Sequence, residues 1–428
     1  MYAINVIPAH RREELRDLAR RSREAIMLAA VAGALTGVGV ALGEWVVVDV
    51  LLDGAGDLDW WMQAWLPLVG LAAAAVVLRL GGRLSSGSAD EYIKAFHGDG
   101  DLPARAVPFR LVATAASVGA GAPGGLEGGS VYLGAAIGAA LQRRYRAVLA
   151  STDLHSLVVA GAAAGVAAIF KAPATGAVFA LEVPYRDDLG RRLLVPALVG
   201  SATGYLSFVA LVGTEPRLVV SGEAPFSMKD LLGAAALGVG IGAVVRVWAK
   251  VILAAKAFQR RHPDWMCVLV GGASIGVSAT VVHLATGEHL VLTPGYNAIE
   301  WATDPRVGLG AVALLIVARM VGTAGTLAGG GVVGLFLPLV VVGGLMGRLV
   351  GGAIDAPNVT LFIIVGVAAG LGAGYRVPLA AVMFVAEATG RPGWVVPGLL
   401  AAVGADLMMG DSSVTPYQQS GSAVVEEH

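Results

Sequence analysis

Gly125-Leu-Glu127-Gly-Gly129, with Gly134xxxGly138 close behind it, has a partner in Gly334-Leu-Phe336-Leu-Pro338, with Gly343xxxGly347 behind that. The paired glycines stand 209 residues apart. Farther on, the offset becomes 205: Gly161xxxGly165 returns as Gly366xxxGly370, and Lys171-Ala-Pro173…Phe179…Glu182 returns as Arg376-Val-Pro378…Phe384…Glu387. A loop shorter by four residues in the second copy accounts for the change. Two homologous halves with a seam between them is the repeat architecture of membrane transporters. The expected division is an N-terminal segment 1–24, a first repeat 25–214, a linker 215–230, a second repeat 231–410 and a C-terminal segment 411–428. The copies are inverted if each half crosses the membrane an odd number of times.

Composition places this duplication in a bilayer. Hydrophobic residues make up 56% of the 428 and charged residues 14%, where a soluble chain carries roughly 25% charged. With a mean hydropathy of +0.73, the apolar surface exceeds what a water-facing globule can bury. The 60 glycines follow no Gly-X-Y period, which excludes collagen and suits closely packed membrane helices. Uncharged runs follow one another from Ala25–Gly43 to Pro392–Ala405. Several are shorter than the roughly 20 residues of a straight span. Broken helices at membrane depth are tolerated only where they line a cavity or are buried in protein. The fold class is therefore all-α: a polytopic membrane protein whose broken helices meet at a midplane site. The Arg-rich stretch 10–24 is too long and too mixed for a signal peptide, and it places the N-terminus in the cytoplasm of an inner, plasma membrane.

Other classes fall away. A net charge of −1 gives no footprint for nucleic acid. The lone Cys267 and seven scattered histidines offer no metal or cofactor set. The formal GxGxxG of Gly119–Gly124 lies inside an apolar run, without the strand and acidic residue of a dinucleotide fingerprint. An intramembrane enzyme would need a His/Asp cluster or a Ser–His pairing, and the spans supply neither.

Glu127 carries the functional argument. Tyr132 aside, it is the only ionisable residue between Arg110 and Arg143. A carboxylate near the bilayer centre costs roughly 2.5–3.5 kcal/mol on insertion scales. Gly124, Gly125, Gly128 and Gly129 surround it and open the backbone ahead of a helical segment. Bare amides at a helix start favour an anion. The glutamate can itself take the anion's place, be displaced by one, or merely cap the helix. In the repeat mate, Pro338 suits a first helical turn and leaves the amides before it free. Two such starts related by a repeat can converge on one small-anion site.

These motifs resemble those of the CLC chloride channel and transporter family. Gly125-Leu-Glu-Gly-Gly is similar to its GREGP motif, Gly334-Leu-Phe-Leu-Pro338 to GxFxP, and Phe170-Lys-Ala-Pro and Tyr375-Arg-Val-Pro to its two APxxG…E segments. The resemblance runs from about residue 25 to 420. It implies a homodimer with one pathway per subunit, moving chloride or another small anion between the membrane's two sides. It implies Glu127 as the gate, flanked by Gly125, Leu126 and Gly128. The amides of Leu335 and Phe336 and the hydroxyl of Tyr417 would be anion donors, unless Tyr417 is an interfacial belt aromatic. The family's GSGIP motif is degraded to Ser85-Ser-Gly-Ser-Ala-Asp90. One register puts Ser86 on the anion and another Gly87, with Ser88 adjacent.

Three departures bear on mechanism. Leu126 replaces the family's Arg beside the gate; Lys171 either supplies that charge or, like its mate Arg376, caps the carbonyls of the preceding helix. Gly129 replaces a Pro. Val183 stands where proton-coupled members carry a glutamate, and it neither binds nor passes a proton. Glu182 and Glu387 are expected to hydrogen-bond backbone. The sequence thus predicts anion flow uncoupled from protons; the alternative is a chloride/proton antiporter, or a variant selective for fluoride or nitrate.

Overall fold

The computed structural model describes residues 9–146, 155–216, 218 and 226–421. Of the segment 1–24 it gives a helical backbone from Ala9; its arginine side chains, Arg23 apart, lie outside the described residues, as do 217 and 219–225 of the linker and the tail beyond 421. The first half contains α1 (Ala9–Trp45), α2 (Asp53–Gly56), α3 (Trp60–Leu80), α4 (Ala89–His97), α5 (Val107–Gly119), α6 (Glu127–Arg144), α7 (Ser156–Phe170), α8 (Pro173–Glu182) and α9 (Leu194–Val212). The second contains α10 (Met228–Arg261), α11 (Asp264–Thr286), α12 (Tyr296–Thr303), α13 (Leu309–Ala328), α14 (Phe336–Ala353), α15 (Val359–Tyr375), α16 (Pro378–Thr389) and α17 (Val395–Met409). Among the described residues, eight helical stretches are long and apolar enough to cross a membrane. The protein is a multi-pass membrane protein.

The small residues of the repeat motif are what let its helices touch. A Cβ on Gly134 would overlap the carbonyl of Gly161, and one on Gly138 that of Leu157, so α6 lies backbone to backbone on α7. Gly343 against Gly366 and Gly347 against Phe362 repeat the contact between α14 and α15. α7 is buried along its whole length. It stops where Lys171 turns left-handed (φ 54°) and Pro173 opens α8; α15 stops in the same way at Arg376 (φ 55°) before Pro378. Proline cannot continue the previous helix but fits the first turn of the next. The repeated Lys-Ala-Pro and Arg-Val-Pro strings are therefore helix–break–helix joints.

Direction follows from side-by-side glycines. Gly33 and Gly37 of α1 pack on Gly200 and Gly204 of α9, so these two run parallel. Gly238 and Gly242 of α10 pack on Ala401 and Ala405 of α17, again parallel. The end of α1 places Glu44 at one cavity, whereas the end of α10 places Lys256, Gln259 and Arg260 at another. α1 thus ends at the cavity that Glu127 lines, and α10 at the cavity that it does not. The two halves run in opposite senses: the repeats are inverted.

Candidate functional site

The two broken helices of the repeat motif meet head to head. The amide of Gly125 donates to the carbonyl of Gly334 at 3.1 Å, and the amide of Gly334 donates to Gly125 at 2.8 Å. Beyond this bridge, α6 begins at Glu127 and α14 at its repeat mate Phe336. The Glu127 side chain bends back to its own amide and also reaches the other helix. It folds across the bridge, is buried, and accepts a hydrogen bond from the amide of Leu337 at 3.2 Å. Its carboxyl lies so close to both bridge residues that a Cβ on Gly125 or Gly334 would overlap it. The helix start of one half thus holds the carboxylate of the other, where the positive end of the peptide dipoles favours negative charge.

Glu127 separates two cavities. The Glu44 cavity, about 220 Å³, is lined by Glu44, Leu126, Glu127, Phe170, Leu337 and the stretch Thr293–Asn297. The Lys256 cavity, about 120 Å³, is lined by the Ser85–Glu91 loop, Lys94, Lys256, Leu335, Tyr375 and Tyr417 among others. Between them sits an aromatic plug. Phe336 stacks on Phe170, with 4.1 Å between centroids, and meets Phe384 edge-on at 5.0 Å. Phe170 borders the first cavity, and its repeat mate Tyr375 borders the second.

Buried charges shape the serine loop. Arg110, almost fully buried, donates to the carbonyl of Gly87 and to the Ser85 hydroxyl, while its guanidinium lies over the Tyr132 ring at 4.6 Å. Asp90 pairs with Lys256 at 2.8 Å, and Lys256 also donates to the carbonyl of Val414 at 3.1 Å. These contacts fix a loop that has no proline to stiffen it. Ser88 is its deepest member: its hydroxyl lies beside Gly128 and points at the Val333 carbonyl at 3.5 Å. Ser86 and Gly87 line the Lys256 cavity but are half-buried.

The remaining sequence candidates distribute as follows. Leu335 lines the Lys256 cavity, and Leu126 lines the Glu44 cavity. Tyr417 lines the Lys256 cavity, with the Lys94 ammonium 4.3 Å above its ring. Tyr375 is the more deeply buried tyrosine there, and its hydroxyl reaches the backbone of Leu335. Arg376 caps the last carbonyls of α15 through its backbone N–H, to Ala373 at 3.2 Å, and not through its guanidinium, as one sequence reading had it. Its left-handed backbone turns the side chain away from the helix, and the guanidinium donates to the carbonyl of Arg186 at 3.0 Å and pairs with Asp406 at 3.4 Å. Lys171 has the same left-handed backbone and is not among the residues lining the Glu44 cavity.

The buried cation beside that cavity is Arg319. It donates to the carbonyls of Leu290, Leu292, Thr293 and Pro294 and so holds the cavity's rim. Val183 is buried, and its carbonyl accepts from Gln418 at 2.9 Å. Glu182 accepts from the amides of Leu379 and Ala380 (3.1 and 2.9 Å), and Glu387 from those of Ala174 and Thr175 (2.8 and 2.7 Å). Each repeat's glutamate caps the short helix of the other half. Among the described residues no group of three His, Cys, Asp or Glu is placed to hold a metal ion.

Sequence reasoning missed Glu44, Arg110, Arg319 and Tyr375 as parts of this site. The signal for the three charges was present: each borders an apolar run, at Ala25–Gly43, Leu111–Leu126 and Val307–Ala318.

Comparison with known proteins agrees with this geometry. The model of the family described as voltage gated chloride channel matches residues 69–410. A protein of Ralstonia nicotianae named as ClcB-like chloride channel is 28% identical over 365 residues, which cover 82% of this chain and 83% of its own. The H(+)/Cl(-) exchange transporter ClcA of Salmonella paratyphi A is 27% identical over 441 residues, covering 95% of this chain and 90% of its own. The crystal structure of a slow cyanobacterial Cl-/H+ antiporter superposes with a TM-score of 0.79 at 21% identity, over 94% of this chain and 97% of that one. That of a CLC-type fluoride/proton antiporter gives 0.79 at 22%, over 93% and 98%. At such identities the two structures establish a shared fold.

Proposed function

The chain belongs to the voltage-gated chloride channel (CLC) family, and from that premise we propose that it exchanges chloride for protons across the plasma membrane, as a homodimer with one pathway per subunit. Anion transport is the family's activity; the direction and coupling argued below are specific to this reading. The observation that carries it is the Glu127 carboxylate, seated on the amides of α14 between two cavities. A carboxylate at a helix start occupies a place that suits any small anion. An anion arriving there must displace it, and a proton that neutralises it weakens its hold on the amides.

The roles then fall out by position. Glu127 is the gate. The amides of Leu335 and Phe336, with Gly125, Leu126 and Gly128 around them, form the central anion cradle. Ser88, with Ser86 and Gly87 beside it, and the hydroxyls of Tyr375 and Tyr417 guide the anion toward the Lys256 cavity. The arginine-rich start of α1 supports a cytoplasmic N-terminus. On that orientation the Lys256 cavity opens to the cytoplasm and the Glu44 cavity to the outside.

Coupling to protons replaces the uncoupled conduction expected from Val183. The relatives named as exchange transporter and antiporter support exchange, while one relative is named as a chloride channel. The chain also offers a way past Val183. Gln418 donates to the carbonyls of Val183 and Tyr375, yet its own Oε1 is buried without a partner. A buried acceptor of that kind is where an ordered water sits, and water can pass a proton where valine cannot.

The experiment is a chloride gradient imposed on proteoliposomes held at equal pH. Exchange gives sustained uphill proton movement that is abolished by Glu127→Gln. Chloride flow without proton movement would reinstate an uncoupled conductor. Absence of flux for chloride, bromide, nitrate and fluoride alike would defeat the transport reading.

A further inference from the structure

A larger cavity, about 640 Å³, opens on the same face as the Lys256 cavity, between the ends of α3, α10, α11 and α13. The two share Ser85, Gln259 and Arg260, but the larger one adds Arg79, Arg83 and His262. Arg79 is paired with Asp264. Arg83 and Arg260 are exposed, and neither has an ion-pair partner among the described residues. Three guanidiniums against one carboxylate leave the wall with an excess of positive charge. Its volume is far greater than a halide needs and falls within the range of small-molecule sites.

Arg83 is placed there at a conformational cost. Its φ is +59°, in the left-handed region that a residue with a Cβ rarely adopts. The turn that imposes this, with Gly82 and Arg83 both bonded back to the carbonyl of Arg79 (3.0 and 3.3 Å), sets Arg83 on the same wall as Arg79. Gly82 (φ +96°) already supplies one residue suited to such a turn. A glycine at 83 would relieve the strain, yet an arginine stands there with its guanidinium exposed to the cavity. His262 is held rigid against the same space, stacked on Phe258 at 4.1 Å with Nδ1 on the Phe258 carbonyl at 3.0 Å.

We propose that this cavity binds a phosphate group, carried either by the headgroup of an anionic phospholipid or by a soluble phosphate compound, with Arg83 and Arg260 as its principal ligands. Guanidinium is the side chain best matched to phosphate, through two parallel N–H···O bonds. The cavity lies at the ends of α3, α10, α11 and α13, helices long and apolar enough to cross a bilayer, and basic residues at such ends attract anionic lipid. Because Ser85 and Arg260 also line the Lys256 cavity, an occupant sits against the mouth of the anion path and slows entry from that side. Binding itself does not depend on the transport reading; only this last effect does.

The test compares the wild type with Arg83→Gly, Arg83→Gln and Arg83→Lys. In one arm, native mass spectrometry counts phosphatidylglycerol against phosphatidylcholine retained on the purified protein. In the other, calorimetry follows pyrophosphate binding to protein in phosphatidylcholine nanodiscs. Wild type retains anionic phosphatidylglycerol over zwitterionic phosphatidylcholine, or binds pyrophosphate, or both, which identifies the source. Arg83→Gly and Arg83→Gln lose that preference severalfold, and Arg83→Lys keeps part of it. Arg83→Gly also melts no lower than wild type, which excludes misfolding as the reason. Equal retention of both lipids by wild type, together with no pyrophosphate binding, overturns the proposal. So does a preference that survives Arg83→Gly unchanged.

Discussion

Gly125 and Gly334, on opposite halves of the chain, exchange both of their backbone hydrogen bonds, at 3.1 and 2.8 Å. A side chain at either place would begin where the Glu127 carboxyl now lies, so one or the other must give way. Gly334→Ala therefore expels the carboxyl from the start of α14. The expected result is a severalfold rise in chloride flux through reconstituted protein. Adding Glu127→Gln to Gly334→Ala gives little further change. Strict additivity would mean that the two residues act on different steps.

Glu127→Gln removes the negative charge but keeps the shape. Anion flux in the variant changes severalfold, and its dependence on external pH flattens. A pH profile identical to that of wild type would place the gate elsewhere.

The reciprocal caps are a stability device. Glu387 takes the amides of Ala174 and Thr175 and the Thr175 hydroxyl, all within 2.8 Å. Glu387→Ala strands those donors at a buried helix start, at a cost of about 2–3 kcal/mol. The thermal midpoint in detergent falls, while the order of preference among chloride, bromide and nitrate is kept. A change of selectivity at unchanged stability would make Glu387 part of the pathway.

Acid acts on the rim of the Glu44 cavity through a histidine stack. His289 lies on His283 at 4.5 Å between centroids, and His283 on Trp60 at 4.8 Å. Burial holds the His289 imidazole below the usual histidine range; His283 pushes the same way and Glu288 opposes. The unfolded loop therefore binds a proton more readily than the folded one. The stabilisation is complete above the ordinary value of about 6.5 and is lost as pH falls through the lower folded value. Amide exchange in 287–295, corrected for its intrinsic rate, accelerates as pH drops from about 7 to about 5.5. His289→Gln abolishes the acceleration.

The repeat was legible because its marks are backbone requirements. Gly134 and Gly343 touch a neighbouring main chain, and Pro173 and Pro378 open a helix; such needs survive divergence and keep their spacing. The inward fold of Glu127 was not legible. A sequence shows that a carboxylate has amides nearby, but not that the amides it meets belong to the other half. The serine loop was ambiguous for a related reason. Its register is set by Arg110 and Lys256, which lie 23 residues after Gly87 and 166 after Asp90. Tyr375 was hidden by its setting, as it reads as the last residue of an apolar helix. Only the joint at Arg376 turns that helix end toward the cavity.

The capping exchange between the halves also has a timetable. Thr175 and Glu387 are 212 residues apart. At roughly 5–20 residues per second of synthesis, the start of α8 waits about 10–40 s in the membrane before its carboxylate exists. During that interval the nascent first half holds a helix start with open amides, and Glu182 has no α16 to cap. Neither half can reach its final form alone, so commitment to the native arrangement comes only when the last third of the chain has left the ribosome.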